Sequence, residues 1–580
     1  MRSRLSKCLC LAALAAFVFA SSAWPGGDTA AERIFYNAKI FTGEPEHPYA
    51  EAVAIRGDKI VAVGSYADVK LAVGKDAKAI DLQGKTLLPG LIDSHAHPMD
   101  GGLSLTGADV GDQMQSADQL AEFVAAAQKN RKGMRGDILC ISGLPLAFWS
   151  KTDELNARFD SGVYAQQPVF LEGMDGHTGW ANRALLSKAG VTKEFVSHLS
   201  DLERSYYGVG RDLEPNGFAV DSGLSKIRTV VPAPTKEQWL EGGRAAVQYL
   251  HSMGITAWLD AVANEPVLST YKSLAERGEL TAHVAAFPVV NPRNDPTQEL
   301  AAYQKLRAKF AGVPELAMPG IKVFADGVVE YPSQTAALTK PYRNIGKSGE
   351  LLFDPAQFAV LVTAADKQGL IVHIHALGDL AVKESLNAIQ AARKANGNSG
   401  LPHTLTHVQL ADPEDFIRFR QLGVIAALQL LWAEASGDTI ELMKPYLDPA
   451  VYQWQYPARS MLDAGATISG ASDWPVSSPN VFWAIYQAET RKGPEGVLDP
   501  EQRMPRASML YAYTRNSARA LNQLDRIGTI APGKQADLVL LDRDVTTVPV
   551  EELRDTKVLW TMFGGRVVWD SATADNKKTN

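Results

Sequence analysis

Apolar and polar residues alternate with a period of two in short runs near the start of the chain, from Arg33 to Phe41, Glu51 to Arg56, Lys59 to Val63 and Lys78 to Leu82. That is the pattern of half-buried strands. Gly57-Asp58, between the second and third runs, is a residue pair suited to a tight hairpin turn. The same texture returns at the far end in Asp537 to Leu541, Val558 to Phe563 and Arg566 to Trp569, with Gly564-Gly565 as a second tight turn. Between these ends, strand-like apolar runs alternate with helical ones, the order of βα units around a parallel sheet. Eight runs qualify as strands of that sheet: Thr86 to Asp93, Ile255 to Asp260, Ala282 to Phe287, Ile321 to Ala325, Leu370 to His375, His403 to Val408, Val424 to Leu428, and Ala466 to Ser469. Eight is the number a closed barrel requires. A doubly wound open sheet alternates in the same way, so the count alone does not decide, and the placement of polar residues must. The expected fold is α/β: a (β/α)8 TIM-like barrel over 86–514, with a small composite β-sandwich domain built from 24–85 and 515–575. The interval from about 98 to 253 holds further strand-like pieces, Ile138 to Ser142 and Val169 to Glu172, and is read as an insertion covering the site.

At 580 residues the chain exceeds one ordinary domain. Its 46% hydrophobic and 21% charged residues argue against both a membrane bundle and extensive disorder. A net charge of −7 without a Lys/Arg cluster offers nucleic acid no favourable field. The first residues differ from the rest. Arg2, Arg4 and Lys7 precede an apolar run from Cys8 to Ala20, followed by Ser21, Ser22 and Ala23. This is the layout of a cleaved export signal over 1–23, shorter than the ~20 apolar residues of a membrane span. It predicts an exported, periplasmic or secreted protein with no membrane span in the mature chain. Of the three cysteines only Cys140 lies outside this segment, so the mature chain has no intramolecular disulfide and no thiolate metal cluster. Any metal must be held by His and carboxylate ligands. Cys140 itself reads as a buried strand thiol.

Chemistry-bearing residues gather at the ends of the eight runs. On a barrel the strand C-termini converge on one rim, so residues far apart in sequence become neighbours. The first run ends in Asp93-Ser94-His95-Ala96-His97, and a spacing of two on extended backbone puts both imidazoles on one face, within reach of one ion. A His-x-His alone is a weak signal; at the end of an apolar strand after Pro89-Gly90 it is a stronger one. Later ends carry Lys322, His375, His407 and Asp473. Two of these have rivals two or four residues earlier, His373 and His403, which share their strand face.

Taken in order, Leu88 to His97, Asp175-Gly176-His177-Thr178-Gly179-Trp180-Ala181-Asn182, Gly320 to Gly327, His375 to Asp379, His407-Val408-Gln409, Ser472-Asp473-Trp474-Pro475-Val476 and Gly528 to Val539 resemble the amidohydrolase superfamily. The similarity is to its YtcJ-like, amidohydrolase-3 branch, which includes N-substituted formamide deformylase, and it covers nearly the whole mature chain. The resemblance implies that His95 and His97 hold one metal, that His375 and His407 hold a second, and that Lys322 is carboxylated by CO2 to bridge them. An ammonium has no acceptor with which to ligate a cation; a carbamate supplies two oxygens. It also implies that Asp473 ligates metal and handles the proton of the attacking water. His373 and His403 are left as barrel-interior residues. His177, Trp180 and Asn182 are placed over the site, with His177 as a catalytic contact to the substrate carbonyl or its tetrahedral intermediate. The cofactors expected are two divalent ions, zinc foremost, with the Lys322 carbamate.

The reaction so implied is attack of a metal-activated hydroxide on an amide-type C–N bond. Within the enzyme class the alternative is a one-metal deaminase or cyclic-amide hydrolase with Lys322 unmodified. Outside it stands a non-catalytic exported metal-binding protein, against which six candidate ligands count, since structural zinc sites are closed by four. Trp149, Trp180, Trp432 and Trp474 are candidates for pocket walls, and Arg343 and Arg459 for a substrate carboxylate. His47, His198, His251 and His283 read as surface or packing residues. The partner expected is a small-molecule substrate, and the oligomer considered is a homodimer.

Overall fold

Gly90 is where the chain passes from one sheet to another. The computed structural model describes residues 32–111, 114, 116–210 and 212–578; the segment 1–23, read above as an export signal, lies outside them. Thr86 to Pro89 belongs to the strand Lys78–Pro89, which pairs antiparallel with Leu538–Leu541 in the register Thr86 to Leu541 and Pro89 to Leu538. Only from Leu91 does the chain join the parallel strands, as Leu91–Ala96 beside Ile255–Asp260. The single run expected over 86–93 is therefore two strands. Pro89 has no N–H to continue a ladder. Gly90 donates its own N–H to Asp537 O at 2.8 Å and passes so close to Thr256 that a Cβ would sit 2.1 Å from Thr256 Oγ1.

The first sheet joins both chain ends. Its seven strands run in the order Arg566–Asp570, Val558–Phe563, Leu538–Leu541, Lys78–Pro89, Glu32–Phe41, Tyr49–Arg56 and Lys59–Gly64. The hairpins at Gly57-Asp58 and Gly564-Gly565 close with Arg56 opposite Lys59 and Phe563 opposite Arg566. The glycines supply the left-handed conformations such turns need, with φ of 60°, 52° and 72° for Gly57, Gly564 and Gly565. Phe35, Ile40, Val53, Ile55, Leu87, Leu538, Trp560 and Met562 pack its core.

The parallel strands form two sheets. One has the order Leu316–Ala317, His283–Ala286, Ile255–Asp260, Leu91–Ala96; the other runs Gly320–Phe324, Ile371–Ala376, Thr404–His407, Ile425–Leu428, Thr467–Gly470. A parallel bridge of Val289 to Lys322 links them on one side. On the other side Ser94 Oγ lies 2.8 Å from Ser469 Oγ and donates to Gly470 O, while Asp473 N–H donates to His95 O at 2.8 Å. All residues of Leu91–Ala96, Ile255–Asp260, Ile371–Ala376 and Thr404–His407 are buried, apolar and polar alike. Intervening helices begin with an Asp N-cap and Pro in the first turn: Asp295-Pro296, Asp354-Pro355 and Asp412-Pro413. The carboxylate accepts an orphan amide and the proline presets φ.

Between Pro98–Thr106 and Lys236–Ser252 lies a six-stranded sheet in which Ile138–Leu144 and Val169–Gly173 are neighbouring inner strands. It has its own core of Leu139, Ile141, Phe159, Leu171 and Trp180. Among the described residues no helix is long and apolar enough to cross a membrane.

Candidate metal centre

His95, His375 and His407 arrive at the ends of parallel strands, His97 and Asp473 just beyond such ends, and Lys322 at the middle of Gly320–Phe324. Asp93 fixes the first of them: its Oδ1 accepts the N–H of His95 at 3.2 Å and of Ser472 at 3.1 Å, and its Oδ2 accepts Ser472 Oγ–H at 2.5 Å. The ends of the first and last parallel strands are thereby tied, which brings His95 and Asp473 together across nearly the whole sequence. Pro98, directly after His97, is the first residue of the helix Pro98–Thr106, a position where its missing N–H costs nothing.

His95 Nε2 and His97 Nε2 stand 3.0 and 2.9 Å from Asp473 Oδ1, and His407 Nδ1 is 3.9 Å from Asp473 Oδ2. The ring centroids of His95 and His407 are 5.0 Å apart, and those of His375 and His407 4.6 Å apart. Lys322 is 1% exposed; its Nζ lies 4.8 Å from the Phe324 ring centroid, and no acceptor among the described residues hydrogen-bonds it. These six residues line one cavity of about 1190 Å³. His407 and Asp473 have φ of 74° and 58°, a left-handed conformation uncommon outside glycine and concentrated at functional sites.

The donor set suits a divalent cation. Asp473 Oδ1 is buried without an aligned hydrogen bond although two imidazole nitrogens stand within 3.0 Å of it, and although burial opposes it, the Asp473 carboxylate raises His97 above the usual histidine range. Ligand-type atoms converging on one point are what a cation would fill, and His95, His97 and Asp473 place theirs within 4.8 Å of one another. Burial, helped by the neighbouring Lys322 and imidazoles, holds His95 and His375 well below the usual histidine range, and burial does the same for His407. Neutral imidazole is the ligating form. Burial brings the Lys322 ammonium down to about 7, the direction that favours a nucleophilic amine. Burial would lift Asp473, but His97, His407 and Lys322 outweigh it and hold the carboxyl below its ordinary value.

The rival histidines part company with them. His373 lies beneath the cavity between His95 Nδ1, at 2.5 Å from its Nε2, and the Thr404 hydroxyl. His403 accepts Val372 N–H and bonds Asp366 Oδ1 at 3.0 Å. His251 is buried with its ring nitrogens on Ile255 O and Thr281 Oγ1, His283 is buried between Glu315 and Asp537 and so is more than the packing residue the sequence suggested, and His198 is on an exposed helix end.

The family model described as the amidohydrolase family matches residues 78–569. The chain belongs to that family. An Arabidopsis thaliana protein, LONG AFTER FAR-RED 3, is 28% identical over 558 residues, covering 94% of this chain and 93% of its own. N-substituted formamide deformylase of Arthrobacter pascens is 24% identical over 560 residues, covering 91% and 96%. Among solved structures, a metal-dependent hydrolase from Pyrococcus horikoshii superposes with a TM-score of 0.69 at 24% identity, covering 90% of this chain and 99% of that one. The last likeness shows a shared mixed α/β fold of the amidohydrolase type.

In this amidohydrolase the segment Asp175 to Asn182 divides. Asp175 Oδ1 accepts the N–H groups of His177 and Thr178 and the Thr178 hydroxyl, shaping a turn from which His177 reaches the cavity. Trp180 and Asn182 do not lie over the site, contrary to the expectation from sequence. Trp180 is buried with Nε1 donating to Asn216 O. Asn182 is buried as an N-cap whose amide donates to the carbonyls of Phe159, Tyr164 and Gln167. Trp149, Trp432 and Trp474 are likewise packing residues: Trp149 donates to Thr178 Oγ1, and Trp432 stacks on the His407 ring with centroids 5.7 Å apart. Arg343 is exposed and Arg459 pairs with Asp463 at 2.8 Å on the surface. The cations that line the cavity are instead Arg131, Lys132, Arg135, Arg228 and Lys347, with Arg228 engaged by Glu172 at 2.9 Å. No motif announces them in the sequence. Cys140 also borders the cavity, but burial pushes its thiol up to about 12, so it is not a nucleophile.

Proposed function

We propose that this amidohydrolase is an exported binuclear hydrolase that cleaves an amide-type C–N bond of a small molecule. In this reading the two parallel sheets close as one (β/α)8 barrel, the seven-stranded sheet is a composite domain of both chain ends, and residues 98–253 cover the mouth. The observation that carries it is the bare Asp473 Oδ1 facing His95 and His97 in the same cavity as Lys322, His375 and His407. His95 and His97 would hold one divalent ion, His375 and His407 a second, with the Lys322 carbamate and Asp473 completing the set. Zinc is the metal assigned, in line with the zinc complex of the atrazine chlorohydrolase TrzN from Arthrobacter aurescens, which shares the fold at a TM-score of 0.51.

When bound, such ions acidify water and polarise a carbonyl oxygen. The chain does the rest. Asp473 Oδ accepts the proton of the attacking water and returns it to the departing amine, the base-then-acid sequence expected of one positioned carboxylate. His177, on the opposite wall, contacts the carbonyl oxygen. Burial of Lys322 without a salt bridge, its one carboxylate neighbour Asp473 acting on it only through space, supports its modification, because a buried cation without a direct partner is costly.

The test combines metal analysis with a hydrolysis screen over formamides, N-acyl amines, N-acyl amino acids and lactams, with zinc and bicarbonate present. Two metal equivalents per chain, falling to one or none in His95→Ala and in Lys322→Met, with hydrolysis lost in both, is the expected result. One equivalent with full activity in Lys322→Met would establish the one-metal alternative instead. Absence of bound metal from the active protein would end the reading.

A further inference from the structure

Asp221 belongs to no motif and to no strand end that carries a candidate ligand; it opens the helix Asp221–Arg228 in the segment over the site. Its Oδ1 lies 2.8 Å from His177 Nδ1, and its backbone N–H donates to His177 O at 2.9 Å. Two stretches 44 residues apart are thus locked residue to residue by a side-chain and a main-chain bond. Asp221 holds φ at +48°, a conformation that costs a non-glycine residue free energy and persists only where the surroundings enforce it. Its other oxygen faces Gly327, just beyond the strand that carries Lys322: a Cβ on Gly327 would come within 3.1 Å of Asp221 Oδ2. The carbonyl of the same Gly327 lies 3.1 Å from His375 Nε2. The carboxylate therefore sits at the seam between the covering segment and the metal-centre wall, with the His177 ring centroid 5.5 Å from that of His375. Asp221 and His177 both line the cavity, and His177 Nε2 makes no hydrogen bond among the described residues.

We propose that Asp221 is the positioning residue of His177. By taking the Nδ1–H it fixes the rotation and tautomer of the ring and leaves Nε2 for the substrate, and its charge stabilises the ring whenever Nε2 carries a proton. Nε2 takes its proton from solvent water before attack: the ring so protonated donates a hydrogen bond to the oxygen of the reacting carbonyl, keeps that proton when the C=O double bond re-forms, and the carboxylate stays ionised throughout. The logic is that of a carboxylate that orients a catalytic imidazole without itself being protonated. This inference rests on the hydrolytic reading of the cavity.

The experiment is a double-mutant cycle of Asp221→Asn and His177→Ala, with melting temperature and metal content measured for each variant and 15N-histidine spectra recorded for the wild type and Asp221→Asn. In Asp221→Asn, kcat falls about a hundredfold with KM, melting temperature and metal content near wild type, and the double variant is no slower than His177→Ala alone. The His177 15N signature changes from Nδ1-protonated in the wild type to Nε2-protonated in Asp221→Asn. Losses that multiply in the double variant, or an unchanged His177 tautomer, would overturn the proposal. If Asp221→Asn misfolds, Asp221→Glu provides the second test and restores at least part of kcat. Should the wild type hydrolyse nothing in the substrate panel, the hydrolytic reading fails while the tautomer measurement still decides the dyad.

Discussion

His283 is the group whose charge state can be read most directly from the outside. It begins the parallel strand His283–Ala286, is 2% exposed, and stands between two carboxylates, with Nδ1 2.5 Å from Glu315 Oε2 and Nε2 2.8 Å from Asp537 Oδ2. Asp537 uses its other oxygen to accept Gly564 N–H and its carbonyl to accept Gly90 N–H, so the imidazole clamps the seven-stranded sheet to the parallel strands. Burial alone would lower the His283 pKa, but Asp537 and Glu315 outweigh it and raise it from 6.5 to about 9. A raised histidine pKa contributes stability that is fully present below about pH 6.5 and is lost as pH rises through about 9. The shift is worth on the order of 3 kcal/mol. With an unfolding entropy of about 2.1 cal/mol/K per residue, a cooperative unit of this size converts roughly 1 kcal/mol into 1 °C, so the clamp is worth about 3 °C. The assay is calorimetric melting of the wild type and His283→Gln from pH 6 to pH 10. The glutamine cannot carry the charge, and groups that titrate in both proteins cancel in the difference. The wild type should melt about 3 °C above the variant at pH 6, with the gap narrowing between pH 7 and pH 10. Parallel curves across that range would show that no protonated imidazole holds the junction.

Two further outcomes follow from packing. Asn182→Ala strips a buried amide that satisfies two backbone donors and three carbonyls, and should destabilise the protein by roughly 2–4 kcal/mol while leaving metal content unchanged; loss of metal would place Asn182 in the centre after all. Gly90→Ala forces a methyl to within 2.1 Å of the buried Thr256 hydroxyl and should cost about 1–3 kcal/mol, visible as a lower denaturation midpoint; a neutral effect would mean the two sheets can slide apart at this joint.

The sequence was most legible where period and turn chemistry agree. Each of the eight runs overlaps a strand, and both glycine turns form, because apolar runs and left-handed turn residues are local signals. The division at Gly90 was not legible: Thr86 to Asp93 is one apolar run, and only the three-dimensional approach of Thr256 and Asp537 splits it. At the site, ligand-type residues at strand ends could be picked out since the spacing of His95 and His97 is itself geometric. What surrounds them could not. Asp175 to Asn182 reads as a single motif, yet its parts face a cavity, a turn and a core. Asp221 carries no signal at all, since an aspartate 44 residues from its histidine looks like any helix-start residue. The cavity cations are invisible for the same reason: Arg135 and Arg228 are ordinary in sequence and meet only once the six-stranded sheet has formed.

The seven-stranded sheet also has a history in time. Lys78–Pro89 needs Leu538–Leu541 as a neighbour, and about 450 residues separate them. At roughly 5–20 residues per second of synthesis, that edge waits on the order of half a minute or more for its partner. Until the carboxyl-terminal strands arrive, the backbone of Thr86 to Pro89 offers open bonding positions to whatever strand comes near, and a chain truncated before Leu538 would keep them open for good.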